Sequence, residues 1–441
     1  MPSNSIAQIT LFDQIENTSL GDLMRLELCL KHIDNDILLN TLDKERWYGR
    51  NDFPNKVMWC CTVSQFLFQR LQVNQMRREL AGNPTLRKLV GLNDCEVQLK
   101  TNNYDDIKVP SSGAFTNFLN KIIDHQDLLD SMLNNLRKKV FISIPEYGRQ
   151  IAGDGKYFDS YSPNAHKGPV CKDQRAEHDA KYSKKNYTYK GEDGLKHTKF
   201  ETHYGFRKHT LVDVYTELPI CSVLTPANED EKKHMTALLA NTPNYILKRA
   251  ENASFDRGYD STEFIQLIRS YNIVPVIDKR LMRKNDPLIL IKRLNDVYYT
   301  DAGAVFVDDS TITDTTINPD TGYENHFVRA QYDGYDKERN ALIYYYGKRK
   351  IRIYLSDDPR TFNEVARDSA KFKRLYDGRT SVERYHGRLD RDFEFEKHTI
   401  RGLQKMRVLT TIGDIVMLSL ALVHCELGQQ NYASLFDFGL W

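Results

Sequence analysis

Apolar residues recur every three to four positions through the first third of the chain, as in Leu20, Leu23, Leu26 and Leu30 and again in Val63, Phe66, Leu67 and Leu71. That period puts them on one face of a helix, so Ser19 to about Leu89 reads as a series of helices, with Pro54 suited to a helix start after Asp52. A third run, Gln75 to Leu89, carries Arg77, Arg78, Arg87 and Lys88 and is interrupted at Gly82 to Pro84. Ser111 to Val140 gives two more helices, ending in the basic turn Arg137, Lys138 and Lys139. The period then changes. Arg149 to Tyr157 reads as a short strand that carries Asp154 ahead of a glycine, and His203 to Asn228 as a hairpin turning at Glu217, Leu218 and Pro219. Glu229 to Leu239 reads as a helix, Ala250 to Phe255 as a strand leading to Asp256, and Ser261 to Tyr271 as a helix. Ile273 to Ile277 follows as a buried strand, with Pro275 counting against a central position in a sheet. Further strands are expected at Val297 to Thr300, Ala304 to Val307, Phe327 to Tyr332, Ala341 to Tyr346 and Ile351 to Leu355. The apolar run Val408 to Val423 contains Asp414 and reads as a core helix, too short and too polar to span a bilayer.

Between Phe158 and Phe200 aliphatic residues are scarce, while Lys181, Lys184, Lys185, Tyr187, Tyr189, Lys190 and Lys196 accumulate. Lysines interleaved with tyrosines suit phosphate contacts and base stacking; a solvated loop has the same composition. At 441 residues, 40% apolar and 28% charged, with a mean hydropathy of −0.57, the chain is large enough for two or three domains and too apolar to be disordered. A net charge of +2 provides no global attraction for nucleic acid, so any such affinity must come from local patches. The seven cysteines are dispersed and never spaced as C-x2-C, which reads as free thiols of a reducing compartment. The first residues lack a basic segment followed by an apolar one, so no secretion signal is expected.

Candidate chemistry is concentrated in Tyr376 to Arg391, YDGRTSVERYHGRLDR. Residues three and four apart are neighbours on a helix, so Tyr376, Arg379 and Glu383 form one polar stripe ending in an acid. A carboxylate can hold a divalent metal, an arginine can fork onto a phosphate, and a tyrosine can stack on or hydrogen-bond to a nucleotide.

This stretch resembles the Tyr-x2-Arg-x3-Glu-x6-Lys signature of bacterial insertion-sequence DDE transposases. Three of the four anchors are present, and Asp390 stands where the lysine is expected. The resemblance extends from nearly Asp154 to the carboxyl end. Asp154 before Gly155 and Lys156, Tyr204 to His209 leading to Asp213, Asp256 before Gly258 and Tyr259, and the Glu383 helix all occur in the family's order. It implies an α/β protein with a ribonuclease H-like catalytic domain at 146–441, interrupted by a β-rich insertion at about 279–365 and preceded by a helical domain at 1–145 that binds DNA ends. It further implies Asp154, Asp256 and Glu383 as catalytic ligands of two Mg2+ ions, with Mn2+ able to substitute. Asp159 or Asp213 stay open as alternatives to Asp154, and Asp260 or Asp278 as alternatives to Asp256.

Tyr376, Arg379, Lys184, Lys185, Lys279 and Arg280 are expected to contact substrate, and Arg391 to supply the charge that Asp390 lacks. The partners implied are terminal inverted repeats and target DNA, with no membrane, a homodimer in the synaptic complex, and a cytoplasmic, nucleoid-associated location. The expected function is cutting element ends and joining 3′ hydroxyls to target DNA. A metal-dependent nuclease of the same fold and an inactive DNA-binding remnant are the alternatives.

Overall fold

The computed structural model describes residues 21–46, 52–95, 109–162, 177–190, 195–279, 292–300, 302–318 and 323–428. The first third is helical as expected: α1 (Gly21–His32), α2 (Asp36–Lys44), α3 (Asn55–Leu67), α4 (Val73–Gly82), α5 (Pro84–Leu89), α6 (Ser112–Ile123) and α7 (Gln126–Ser143). Local chemistry fixes several starts. Asn83 accepts from the backbone N–H of Leu86 with Pro84 at the first helical position, and Ser111 caps α6 through the N–H of Ala114.

The sheet follows: β1 (Gln150–Asp159), β2 (Lys181–Lys190), β3 (Lys196–Asp213), β4 (Pro219–Pro226), β5 (Asn252–Phe255) and β6 (Val274–Ile277). β3 runs antiparallel between β1 and β4, whereas β1, β5 and β6 are parallel neighbours. Pro275 lies in β6, the outermost strand, where a missing backbone donor costs least. Two helices, α8 (Glu231–Asn241) and α10 (Thr262–Ser270), pack on the sheet, with α9 (Asn244–Leu247) a single turn between α8 and β5. Asp230 and Ser261 cap α8 and α10. The sheet also receives α11 (Ala370–Asp377), α12 (Thr380–Arg391) and α13 (Leu403–Glu426).

α13 is the apolar helix anticipated at Val408 to Val423, extended to 24 residues. It is long and apolar enough to cross a membrane, yet 89% of its apolar window is buried inside the protein. α1, α3, α6 and α7 pack on it while it also meets β4. Asp414 is tolerated there because its partners are buried with it. Lys208 Nζ donates to its Oδ2 at 2.7 Å, Ser222 Oγ at 2.9 Å, and the Tyr385 hydroxyl donates to Oδ1 at 2.6 Å. One apolar core runs without a break from Leu26 and Trp59 in the helices through Ile151 and Phe255 in the sheet to Val423.

Seven described strands lie between β6 and α11: β7 (Lys292–Leu294), β8 (Val297–Tyr299), β9 (Val305–Asp308), β10 (Phe327–Arg329), β11 (Gln331–Asp336), β12 (Ala341–Tyr346) and β13 (Arg349–Tyr354). The single strand expected over Phe327 to Tyr332 is divided at Ala330, so that β10 joins β9 while β11 joins β12. This region has its own core around Val305, Tyr344, Ile353 and Phe362. The lysine- and tyrosine-rich stretch after Phe158 also departs from a loop reading, because much of it folds into β2 and the first half of β3. Lysines fall on both of its faces, so no apolar–polar alternation marks the strands in the sequence.

Candidate active site

The ladder between β1 and β5 ends at the pair Gly153 and Phe255. One residue further, Asp256 leaves β5 while Asp154 stays in β1, paired with Thr210 of β3, so the two acids stand at the same level of adjacent parallel strands. The Asp256 carboxylate caps the tight turn that follows, accepting from the Arg257 N–H at 2.7 Å. α12, which carries Glu383, packs against β1 and β3.

The Tyr376 stripe survives with a change in backbone. Instead of one helix, α11 ends at Asp377 and α12 begins at Thr380, with Gly378 and Arg379 forming the joint. A side chain on Gly378 would lie 2.9 Å from Val214 and 3.0 Å from the Leu375 carbonyl, so the joint can press against the β3–β4 turn only with glycine there. Both joint residues keep helical dihedrals, and the three side chains stay in contact. The Arg379 guanidinium lies 5.9 Å from the Tyr376 ring centroid, and its Nη1 donates to Glu383 Oε1 at 2.7 Å. Burial raises the Tyr376 phenol above its ordinary range, and the negative charge of Asp256 adds to this, so Tyr376 faces that acid.

Asp154 has a neighbour that sequence reasoning missed. Glu231, in the first turn of α8, lies within hydrogen-bonding reach of its carboxyl. Glu231 also pairs with Arg207 and accepts from the Tyr259 hydroxyl at 2.7 Å. Burial, and next the charge of Glu231, push the Asp154 carboxyl well above the usual carboxylate range. The available signal was that Asp230 caps a helix, which places Glu231 at its start, but only the tertiary fold brings that helix end to β1. Among the described residues no three His, Cys, Asp or Glu side chains converge closely enough to hold a metal ion. Glu383 is committed instead to Arg379.

The alternative acids have other partners. Asp213 accepts from the N–H groups of Gly148 (2.8 Å) and Thr216 (2.7 Å) and from the Thr216 hydroxyl, which pins the β3–β4 turn. Asp260 is buried in a bidentate pair with Arg360 at 3.1 and 2.9 Å. Asp278 takes Arg257 at 2.6 Å, and Asp159 takes His203 at 3.0 Å.

The expected phosphate contacts divide. Lys184 and Lys185 stand on β2, with Lys184 exposed and Lys185 half-buried. Lys279 departs from the expectation of an exposed contact: it is buried, its Nζ donates to Thr361 Oγ1 at 2.8 Å, and burial lowers its pKa, with Arg367 lowering it further. Arg280 lies outside the described residues. Asp390, within α12, accepts from Lys156 Nζ at 2.5 Å, so a lysine ammonium does sit beside this turn of the helix, supplied by β1. Arg391 projects outward with its side chain 80% exposed and bonds Asp392 at 2.6 Å.

No curated protein matches this chain. Residues 169–413 match the family described as Transposase DDE domain, a span that includes Asp256 and Glu383 and begins after Asp154. This match covers more than half of the 441 residues, and the chain belongs to the DDE transposase family.

Proposed function

We propose that the chain is the transposase of an insertion sequence, cutting the element's ends and joining the 3′ hydroxyls to target DNA by divalent-metal-dependent phosphoryl transfer. The observation that carries this reading is the placing of Asp154 and Asp256 at one level of neighbouring parallel strands, where the β1–β5 ladder ends, beside a helix that bears Glu383. The strand order β4-β3-β1-β5-β6, with three antiparallel and then two parallel strands, supports a ribonuclease H-like catalytic fold.

The donor chemistry fits Mg2+, with Mn2+ as substitute: Asp154, Asp256 and Glu383 offer hard oxygens only, and Asp154 is crowded by a second carboxylate that a cation would relieve. Two such ions, when bound, supply an activated oxygen nucleophile and stabilise the leaving oxygen. The protein's own groups bind and orient. Glu383 would hold the metal with Asp154 and Asp256, and Arg379, which it pairs with here, would then be available to fork onto a phosphate beside Tyr376. Lys184, Lys185 and Arg391 add exposed or half-buried cationic contacts, and Lys156, steadied by Asp390, supplies the ammonium missing from the helix. The arginine-bearing helices before residue 146 recognise the terminal repeats, two copies of the chain hold two ends together, and the reaction takes place on chromosomal DNA in the cytoplasm.

The test is end cleavage and strand joining with Mg2+ by Asp154→Asn, Asp256→Asn and Glu383→Gln, each of which removes a ligand charge at nearly constant volume. Each variant is expected to lose cleavage and keep DNA binding. Near-normal turnover in any one would remove that residue from the metal site, with Glu231 the next acid to test. Nicked ends without joined product would identify a nuclease, and binding indifferent to divalent ions with no cleavage would identify an inactive remnant.

A further inference from the structure

β1 and β3 pair only as far as Asp159 and Gly205, and β4 leaves β3 at Phe206. From there β2 and β3 continue alone, paired from Lys181 and Gly205 to Lys190 and Lys196. Gly205 is the pivot: a side chain there would lie 2.0 Å from the Phe158 carbonyl, which is the close approach that lets β1 peel away. The ribbon departs from the sheet edge that bears the acids, because Asp154 is paired with Thr210 and β3 runs from Thr210 back through Gly205. At roughly 3.3 Å per residue the ribbon begins about 17 Å from Asp154 and reaches Phe200 at about 33 Å. That is the length of about ten base pairs at roughly 3.4 Å each.

Its surface has no counterpart in the core. Tyr182 and Phe200 are 52% and 56% exposed, and they share a face with Lys184, whose Nζ lies 4.1 Å from the Phe200 ring centroid. The opposite face carries Lys181 and Lys185. Six lysines lie between Lys181 and Tyr204 (181, 184, 185, 190, 196 and 199) against three acids, Glu192, Asp193 and Glu201. In a chain of net charge +2, this is a local cationic arm with exposed rings.

We propose that the β2–β3 ribbon is a DNA-tracking arm, lying in a groove of duplex DNA from about five to about ten base pairs to one side of the cleavage position. A two-stranded ribbon fits the major groove, which is about 12 Å wide. The lysines neutralise phosphates along its walls, and the Tyr182 and Phe200 rings meet base edges or sugars. A second copy of this chain is the rival occupant. It is disfavoured because two like-charged ribbons repel and because the arm points away from the acid edge along the path that bound DNA would follow. The inference rests on the DNA reading above and adds a position and a reach to it.

The experiment uses the full chain with Tyr182→Ala, Lys184→Gln and Phe200→Ala combined, its fold checked by thermal melting. Binding to fluorescein-labelled random duplexes of 30, 20 and 8 base pairs is measured by anisotropy in EDTA over a salt series. The variant is expected to bind the 30-base-pair duplex on the order of tenfold more weakly than the native chain, with the log–log salt slope shallower by about 1. That deficit should shrink on the 8-base-pair duplex, which at about 27 Å is too short to fill both the acid edge and the arm. An equal deficit at every length, or none, overturns the arm. So does a variant whose DNA affinity is intact but whose sedimenting mass falls, since the ribbon would then hold a second copy. The two readings separate cleanly: a native chain that cuts and joins DNA beside a variant with unaltered binding removes only the arm. A native chain with length-dependent, arm-dependent binding and no cleavage in Mg2+ removes only the transposition reading.

Discussion

The helices before residue 146 and the β-rich region between β6 and α11 are attached to the six-stranded sheet in opposite ways. The helices surround α13, and their apolar side chains join those of the sheet in one core, with Cys29 beside Ser419 at 2.7 Å and Gln126 bonded to Thr411 at 3.0 Å. The insertion keeps its own core and is fastened to the sheet largely by polar contacts on its returning limb. Arg269 bonds Glu364 at 2.9 Å and the carbonyls of Pro359 and Phe362, and Arg360 grips Asp260. Position in sequence is therefore a poor guide to independence: the β-rich region between β6 and α11 is the more separable of the two, and the helical region before the six-stranded sheet is part of the main interior. A DNA-end-reading role for the helices would operate from within the catalytic body.

The largest expected effect comes from cutting the chain. A fragment ending near Pro145 loses the α13 surface that its helices bury, so it should show no cooperative thermal transition. A sharp melt of that fragment, followed by circular dichroism, would break the shared-core account. Next is Asp414→Ala, which strands the buried Lys208 ammonium and the Tyr385 hydroxyl at the junction of helices and sheet. It should cost about 3–5 kcal/mol of global stability in a urea titration, and a loss confined to one region would contradict the single core.

Acid sharpens the comparison further. Burial, and then Arg207 and His234, hold the His209 imidazole down at about 3, whereas an unfolded imidazole titrates near 6.5. A depressed imidazole favours the folded state above the unfolded value, and that advantage disappears as pH falls through about 6.5, when only the unfolded chain takes up the proton. His209 alone should cost the sheet about 2 kcal/mol at about pH 5. The midpoint of unfolding should drop between pH 7 and pH 5 by more in the native chain than in His209→Gln; equal drops would assign the acid sensitivity elsewhere. The smallest effect is expected in the insertion. Arg349→Ala removes an exposed pair with Asp296, and a change within about 1 kcal/mol is predicted, whereas a larger one would mean that the insertion is coupled to the core.

Much of the element order was legible because short-range physics sets it. The apolar period marked α1, α3 and α13, Asp256 marked the end of β5, β1 was expected over Arg149 to Tyr157 and runs through Asp154 and Gly155 to Asp159, and the Tyr376, Arg379 and Glu383 spacing predicted a contact chain that the fold retains across an unforeseen joint at Gly378. Side-chain commitments were not legible, because each depends on what a distant segment brings. Glu231 reaches Asp154 across 77 positions, Lys156 finds Asp390 across 234, and Lys279 turns inward to Thr361. The sequence by itself determined most of the elements, the candidate acids other than Glu231 and the family signature, since periodicity, turn chemistry and spacing act within a few residues. Tertiary structure alone decided which acids stand together, which cations remain exposed to a phosphate, and that the first helices and the last share one interior, since burial and charge pairing act between surfaces that only folding brings into contact.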